Sequence, residues 1–294
     1  NNEQSVVFDS NVNKFVVFYS RGGAGKAKVG TVSGTSVSFG SEAEFDSAQG
    51  TKFDGTFDST NNKVVVTYTG TNNYVEAKVG TISGTSISFG TAAVAISVST
   101  DDNKATFDSN RGKVVICSRI GTKGRAAVGT VSGTSISFAS NVIFADNQTK
   151  NIACTFDSSN NKVVIAFQNG SSAEEGQAVV GDIDGSGVIS FGSAVQYNSN
   201  ANSQQGIAFD SNLNKVVIAY DATDTSKGQV VSGTVSGTSI TFDSEFVFDD
   251  SGSSSAACAF DSNANKILIA YQDDGNSYAG TGVVFTPTTL ATTR

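Results

Sequence analysis

The residues able to do chemistry in this chain are carboxylates, lysines, arginines and tyrosines, because the sequence contains no His, Trp or Met. Histidine is the commonest general base and metal ligand, so proton transfer and metal binding would fall to oxygen-bearing side chains. In GDIDGSG, Asp182, Asp184 and Ser186 alternate as the oxygen ligands of a calcium loop do, with glycine permitting the bend. The distal glutamate of an EF-hand is missing, and a widened hairpin is the alternative reading. Acidic pairs stand at Glu174–Glu175 and Asp273–Asp274. A glycan-cleaving enzyme needs two carboxylates facing each other at roughly 5–9.5 Å. Adjacent loop residues do not ensure that geometry, and solvated surface charge is the plainer account. Tyr74 and Tyr278 close corresponding loops of the second and sixth repeats. A tyrosine there would stack on a sugar face, since it joins an apolar body to a polar tip. Arg21, Arg119 and Arg125 on loops of the same class complete the candidate binding residues.

These residues are carried on a repeat. One phrase runs FDSTNNKVVVTY from Phe57, with copies beginning at residues 8, 107, 156, 209 and 260. A second runs VGTISGTSISFG from Val79, with close copies at Val29, Val128 and Ser232 and a deviant one at Val180. The copies of the first are spaced 49, 50, 49, 53 and 51 residues apart. A period near 50 lies in the range of propeller blades. Each unit carries four strand signals, seen in unit two as GTFDS, KVVVTYT, YVEAKVGTIS and TSISFG. The β-branched second run reads as a strand buried on both faces. DSTNNK is a loop of turn formers, and SGTS is a short hairpin turn. No helical period is present.

The expected fold is therefore all-β: one domain over residues 1–294, a six-bladed β-propeller of four-stranded antiparallel blades. Phe57 and Phe89 are the expected wedges between neighbouring sheets. The sixth unit ends at TGVVF and runs into TPTTLATTR without a copy of SGTSISFG. The last blade should thus be incomplete or irregular. Residues 286–294 form a tail that either lies along its open edge or marks a self-association contact.

Composition narrows the function. Net charge is −8 and the pI is near 4.5, which argues against nucleic acid and against an anionic membrane surface. There is no run of 18 apolar residues, so no membrane insertion is expected. Cys117, Cys154 and Cys258 sit in apolar strand contexts and read as free thiols. The opening NNEQSVVF reads as the start of a processed or excised piece. Sequons at Asn147 and Asn169 matter only in a secreting eukaryote.

Two turns of the repeat, DSxxNK and SGTS, are nearly uniform, whereas the loops between second and third strands differ in every copy, as do the connections between units. Function usually sits on loops held by a rigid scaffold, so the variable rim is the place to look. The six Asp and six Lys of the uniform turn read as caps and strand-end guards rather than an ion-binding ring.

The pair FDSxxNKVVIAY and VGTVSGTSISFG resembles tandem repeats in tail-fibre and surface-appendage proteins of marine bacteriophages and related aquatic organisms, over residues 8 to about 285. The resemblance implies an extracellular or virion-surface module that binds a surface, and it carries over no site residues. The expectation is a non-enzymatic adhesion module, lectin-like, whose partner is a cell-surface glycan or protein and which has no cofactor beyond the calcium that GDIDGSG would admit. A structural subunit of a fibre and a glycan-cleaving propeller enzyme are the alternatives.

Overall fold

The computed structural model describes residues 4–47, 51–171, 173–199 and 202–287; residues 288–294 of the expected tail lie outside them. The chain is an all-β six-bladed propeller, without helix among the described residues, and its last blade has only three strands. Blade two shows the pattern: Thr51–Asp58, Lys63–Thr69 and Val75–Ser83 pair in sequence order. Its fourth strand is broken into Ser86–Phe89 and Ala93–Ile96, which pair with the two ends of the third. In blade one the fourth strand is continuous, Ser36–Asp46. Blade six is Ser253–Asp261, Lys266–Asp273 and Ala279–Phe285. The contacts form two compact units. One holds residues 1–148 and 182–190, and the other holds 149–181 and 191–294.

The first turn of each blade is fixed by its own residues. Asp58 is fully buried, and its Oδ1 accepts the amides of Thr60 and Asn61, both at 2.9 Å. The same two bonds recur at Asp9, Asp108, Asp157, Asp210 and Asp261. The residue before each lysine is left-handed: five asparagines at φ 53–55° and Gly112 at 61°. Asparagine and glycine tolerate that region best. Lys63 then donates to Thr81 Oγ1 of the third strand at 2.9 Å, a bond repeated from Lys14, Lys113, Lys215 and Lys266. The uniform Asp and Lys are thus spent on the turn and on bracing the blade.

The core lies between blades. On the second strand of blade two, Val64, Val66 and Tyr68 pack toward blade one with Phe18, Phe45 and Phe53. Val65 packs the other way, among Phe107, Val114 and Ile116 of blade three. Blade five does the same, with Val216, Ile218 and Tyr220 on one side and Val217 and Ala219 on the other. Two-sided burial is why this strand reads as an unbroken apolar run. Phe57 and Phe89 pack partly buried against the first of these cores, as wedge residues should. The end blades depart from this pattern: Val6 and Phe8 in blade one, and Leu268 and Val284 in blade six, are exposed.

The outer hairpin is a packing device. A Cβ added to Gly40, Gly90 or Gly192, each closing SFG, would overlap the carbonyl oxygen of Thr85, Thr134 or Thr238 in the next blade's SGTS turn. The exceptions follow from the neighbour. Ala139 stands at this position in blade three, whose successor carries the deviant hairpin. Asp243 stands there in blade five, whose successor has no such hairpin. Asp243 bonds instead with Lys215 Nζ at 2.8 Å and Ser232 Oγ at 2.6 Å. Gly90→Ala is expected to lower unfolding free energy by about 1–3 kcal/mol, the usual cost of overpacking. Ala139→Gly should cost no more than about 1 kcal/mol. Urea melts of both variants check this, and equal losses would show that the hairpin contact is not the constraint.

Candidate functional site

The seventh position of the second strand, counted from its lysine, is polar in all six blades: Ser20, Thr69, Arg119, Gln168, Asp221 and Gln272. Beside it, the first strand of the next blade enters through a bulge. Its register shifts between Thr51 and Asp54, Lys150 and Ala153, and Ser254 and Ala257. Lys52, Asn151 and Ser255 within these bulges are left-handed. The bulge turns a carbonyl toward the neighbouring blade, where a side-chain amide meets it. Asn103 Nδ2 donates to Lys52 O at 2.9 Å and to Thr69 Oγ1 at 3.1 Å. In the second unit Gln205 Nε2 donates to Asn151 O, and Asn151 Nδ2 donates to Gln168 Oε1 at 2.9 Å. Such buried amides are tolerated because each finds a partner.

Between blades five and six the same position holds a carboxyl. Asp221 is buried. Ser253 Oγ donates to its Oδ1 at 2.5 Å, and Ser203 Oγ to its Oδ2 at 3.4 Å. Burial pushes its pKa up to about 6 against these hydroxyls, and the Asp274 charge adds to the rise. Nearby, Asp249 accepts the amide and hydroxyl of Ser251, both at 2.7 Å. These hydrogen bonds outweigh burial and hold Asp249 below the usual carboxylate range. Ser251 Oγ also reaches Asp273 at 3.3 Å, and Ser254 Oγ donates to Asp274 at 3.1 Å. The loop 274–278 comes so close to this segment that a side chain on Gly275 would overlap Ser251. Ser277 and Tyr278 close the loop in consecutive left-handed conformations, φ 54° and 61°. Tyr278 is left 68% exposed. A non-glycine residue held there costs about 1–3 kcal/mol. The arrangement is a patch of carboxylates and hydroxyls beside a projecting aromatic ring, suited to hydrogen-bonding a polyhydroxylated ligand.

The other sequence-nominated residues fall elsewhere. Tyr74 is half-buried in the first unit, its carbonyl accepting the Gly70 amide. Arg21 is exposed and pairs with Glu42 at 3.1 Å. Arg119 is half-buried at the rim, its carbonyl accepting Thr100 Oγ1. Arg125 donates to Asn141 Oδ1 at 2.7 Å. Glu174 pairs with Lys150 at 2.7 Å. Asp182 occupies the register position that threonine fills in the other blades, one past the residue paired with Val163. Asp184 Oδ1 accepts Ser186 Oγ at 2.6 Å, Ser186 N at 2.8 Å and Val188 N at 3.0 Å. These bonds, the Ser186 hydroxyl foremost, hold its pKa down and tie the carboxylate to its own hairpin. Among the described residues no three acidic or thiol side chains gather as metal ligands would. None of the three cysteines is in a disulfide; Cys117 is buried and the others are half-buried. Asp221, Ser203 and Ser253 were not singled out by sequence, although a polar residue of changing type after five apolar ones was a visible signal.

No protein-family model and no curated protein matches the sequence. Solved structures match in shape. A periplasmic gluconolactonase of Pseudomonas aeruginosa superposes with TM-score 0.67 and 10% identity over 95% of this chain and 84% of that one. A sialidase of Streptococcus pneumoniae gives 0.59 and 8%, over 96% and 68%. The Aleuria aurantia lectin, in complex with Fucα1-6GlcNAc, gives 0.54 and 10%, over 99% and 97%. At these identities the likeness establishes the fold alone. It nevertheless overturns the expectation that the chain is not an enzyme, because the fold is shared with enzymes. The missing histidine does not restore that expectation, since burial brings Asp221 near neutrality without one.

The raised Asp221 pKa has a consequence for stability. The folded state holds this proton more tightly than the unfolded chain, whose aspartates titrate near 3.9. The group's contribution is therefore full below about pH 4 and is lost as pH rises through about 6. Asp221→Asn should match the parent at pH 4 and exceed it at pH 8 by up to about 3 kcal/mol. Denaturant melts from pH 4 to 8 measure the difference, and parallel profiles would contradict the assignment.

Proposed function

We propose that this propeller recognises carbohydrate, at the rim between blades five and six. The observation that carries the reading is Tyr278, exposed and held in a strained backbone beside Asp273, Asp274, Ser251 and Ser254. Strain of this kind persists where a surrounding structure enforces it, and it collects at ligand-binding sites. A tyrosine face packs on the apolar side of a sugar ring, and carboxylates accept hydrogen bonds from its hydroxyls. The names of the similar structures support a sugar or sugar derivative as ligand: a lectin with bound Fucα1-6GlcNAc, a sialidase and a gluconolactonase. In this reading the module works on a cell or virion surface and attaches to a glycan displayed there, in keeping with its resemblance to surface-appendage repeats.

A second reading is favoured by Asp221. A buried carboxyl with a pKa of about 6 is suited to give a proton to a departing glycosidic oxygen, with an ionised carboxylate of the same patch as its counterpart. The site would then cleave the glycan that it holds.

A glycan array followed by calorimetry tests the first reading. Tyr278→Ala is expected to weaken binding at least 10-fold while leaving the melting temperature unchanged, and Asp273→Ala should weaken it as much with a small loss of stability, since Asp273 also accepts the Asn276 amide. A blank array, or binding indifferent to both changes, would refute it. A panel of fluorogenic glycosides separates the second reading: turnover lost in Asp221→Asn with binding retained marks an enzyme, and binding without turnover marks a lectin.

A further inference from the structure

At the entrance of the third strand, opposite the varied polar position, five blades carry glycine, and in four of them a fourth strand lies above it. Gly25 pairs with Ser20, Gly124 with Arg119, Gly176 with Gln168 and Gly228 with Asp221. Each of these four glycines is covered by an aromatic ring from the inner half of the fourth strand. The rings are Phe45, Phe144, Tyr197 and Phe248, so close that a Cβ would overlap them. Each aromatic is the extra residue of a bulge in that strand. Blade two has Val75 in place of the glycine, and Ala95 is its bulged residue. A larger residue below is matched by a smaller one above, so the pair is selected for volume.

Blade six keeps the glycine and, among the described residues, lacks the cover. Gly280 pairs with Gln272 as its counterparts do. It is exposed, and an added Cβ would meet no atom within 4 Å. The third strand, Ala279–Phe285, has no further partner among the described residues. It carries no charge to guard that edge, whereas exposed edges are usually protected. The outer half of the edge is closed to a fourth strand. Gly80, Gly129 and Gly233 lie under the Ile and Phe of SISF or SITF, but Phe285 fills that register position and packs on Phe246 at 5.9 Å. Asp243 likewise leaves no room for a neighbouring hairpin.

We propose that the edge at Gly280–Gly282 is a docking site for an extended segment of a partner protein, which pairs antiparallel and lays an aromatic side chain on Gly280. The four filled seats define its chemistry as AEFD, VIFA, VQYN and FVFD: a small or apolar residue, any residue, an aromatic, then most often Asp or Asn. A second copy of this chain has its own such segments already folded into blades. Residues 288–294, TTLATTR, contain no aromatic. The mode is strand addition, in which main-chain bonds give affinity and one pocket gives specificity.

The test uses the 294-residue protein and a synthetic peptide, SEFVFDDS, copied from residues 244–251. Titration followed by backbone NMR should shift Gly280, Thr281 and Gly282 saturably. The same peptide with Phe248→Ser should bind at least 10-fold more weakly. Gly280→Val, which installs the residue of blade two, should abolish binding without changing the melting temperature, because its added atoms enter open space. Equal affinity for both peptides, shifts confined to other residues, or undiminished binding by Gly280→Val would overturn the proposal. So would unfolding of that variant, which would mean that the seat is not open.

Discussion

A strand that is apolar on both faces cannot finish a sheet by itself. The second strands of the inner blades, such as Lys63–Thr69, bury alternate side chains in two different cores, so each of these blades is stable only between neighbours. Full burial of one Val, Ile or Phe contributes about 1.5–3 kcal/mol, and each blade would forfeit several such terms if it stood alone. The uniform features follow from this. The Asp-capped turn holds the first and second strands in register, the Lys–Thr bond ties the second to the third, and the SGTS hairpin leans on the preceding blade. One packing problem recurs, and one set of residues solves it each time.

The variable features sit where that constraint relaxes. At the rim the chain passes from one blade to the next, and the bulged entrance of the first strand exposes backbone that must be bonded again. The answers differ by blade: Asn103 serves between blades two and three, Gln205 between four and five, and a carboxyl with two serines between five and six. Asn103 and Gln205 are bonded through both ends of their amides, while Asn202 Oδ1 beside Gln205 is left without a partner among the described residues. The carboxyl does not reach the same rest, because burial disfavours its charge. A position that is structural in one blade thus acquires a titratable group in another, without any change in backbone design.

What could be read from sequence was what is local. Asp and Asn at fixed offsets from Lys announced the first turn, and the alternation of TSISF announced an outer strand. The missing SGTSISFG announced an incomplete or irregular last blade, which has three strands. Tyr278 was legible as the end of a variable loop. The rim networks were not, because their members lie about 50 residues apart, as Asn103 and Lys52 do. The left-handed bulge was hidden for another reason. Lys52 and Ser255 occupy it without the glycine that usually signals such a conformation. At Asp182, Asp184 and Ser186 the spacing is that of an ion-binding loop, and the structure shows Asp184 and Ser186 bonded to each other within a turn. Spacing records which residues are near one another and leaves open what their lone pairs are spent on.

A chain that repeats itself also supplies its own comparisons. Where glycine in blade three becomes Ala139, the facing hairpin is the one that deviates; where it becomes Asp243, the facing hairpin is missing. Where Gly228 has Phe248 above it, Val75 has Ala95. Each substitution has a compensating partner one blade or one strand away, which is how packing to near-crystalline density constrains sequence. Against that rule an uncompensated position carries information. Gly280 is small where nothing presses on it, in a blade otherwise altered by Phe285 to do without its outer strand. Drift in an open position would admit any side chain, and a position freed of its ring has no packing reason to stay glycine. That the outer seat has been filled while the inner one, among the described residues, is open distinguishes the two halves of the edge physically: the first is closed to a strand, and the second has the shape that receives one.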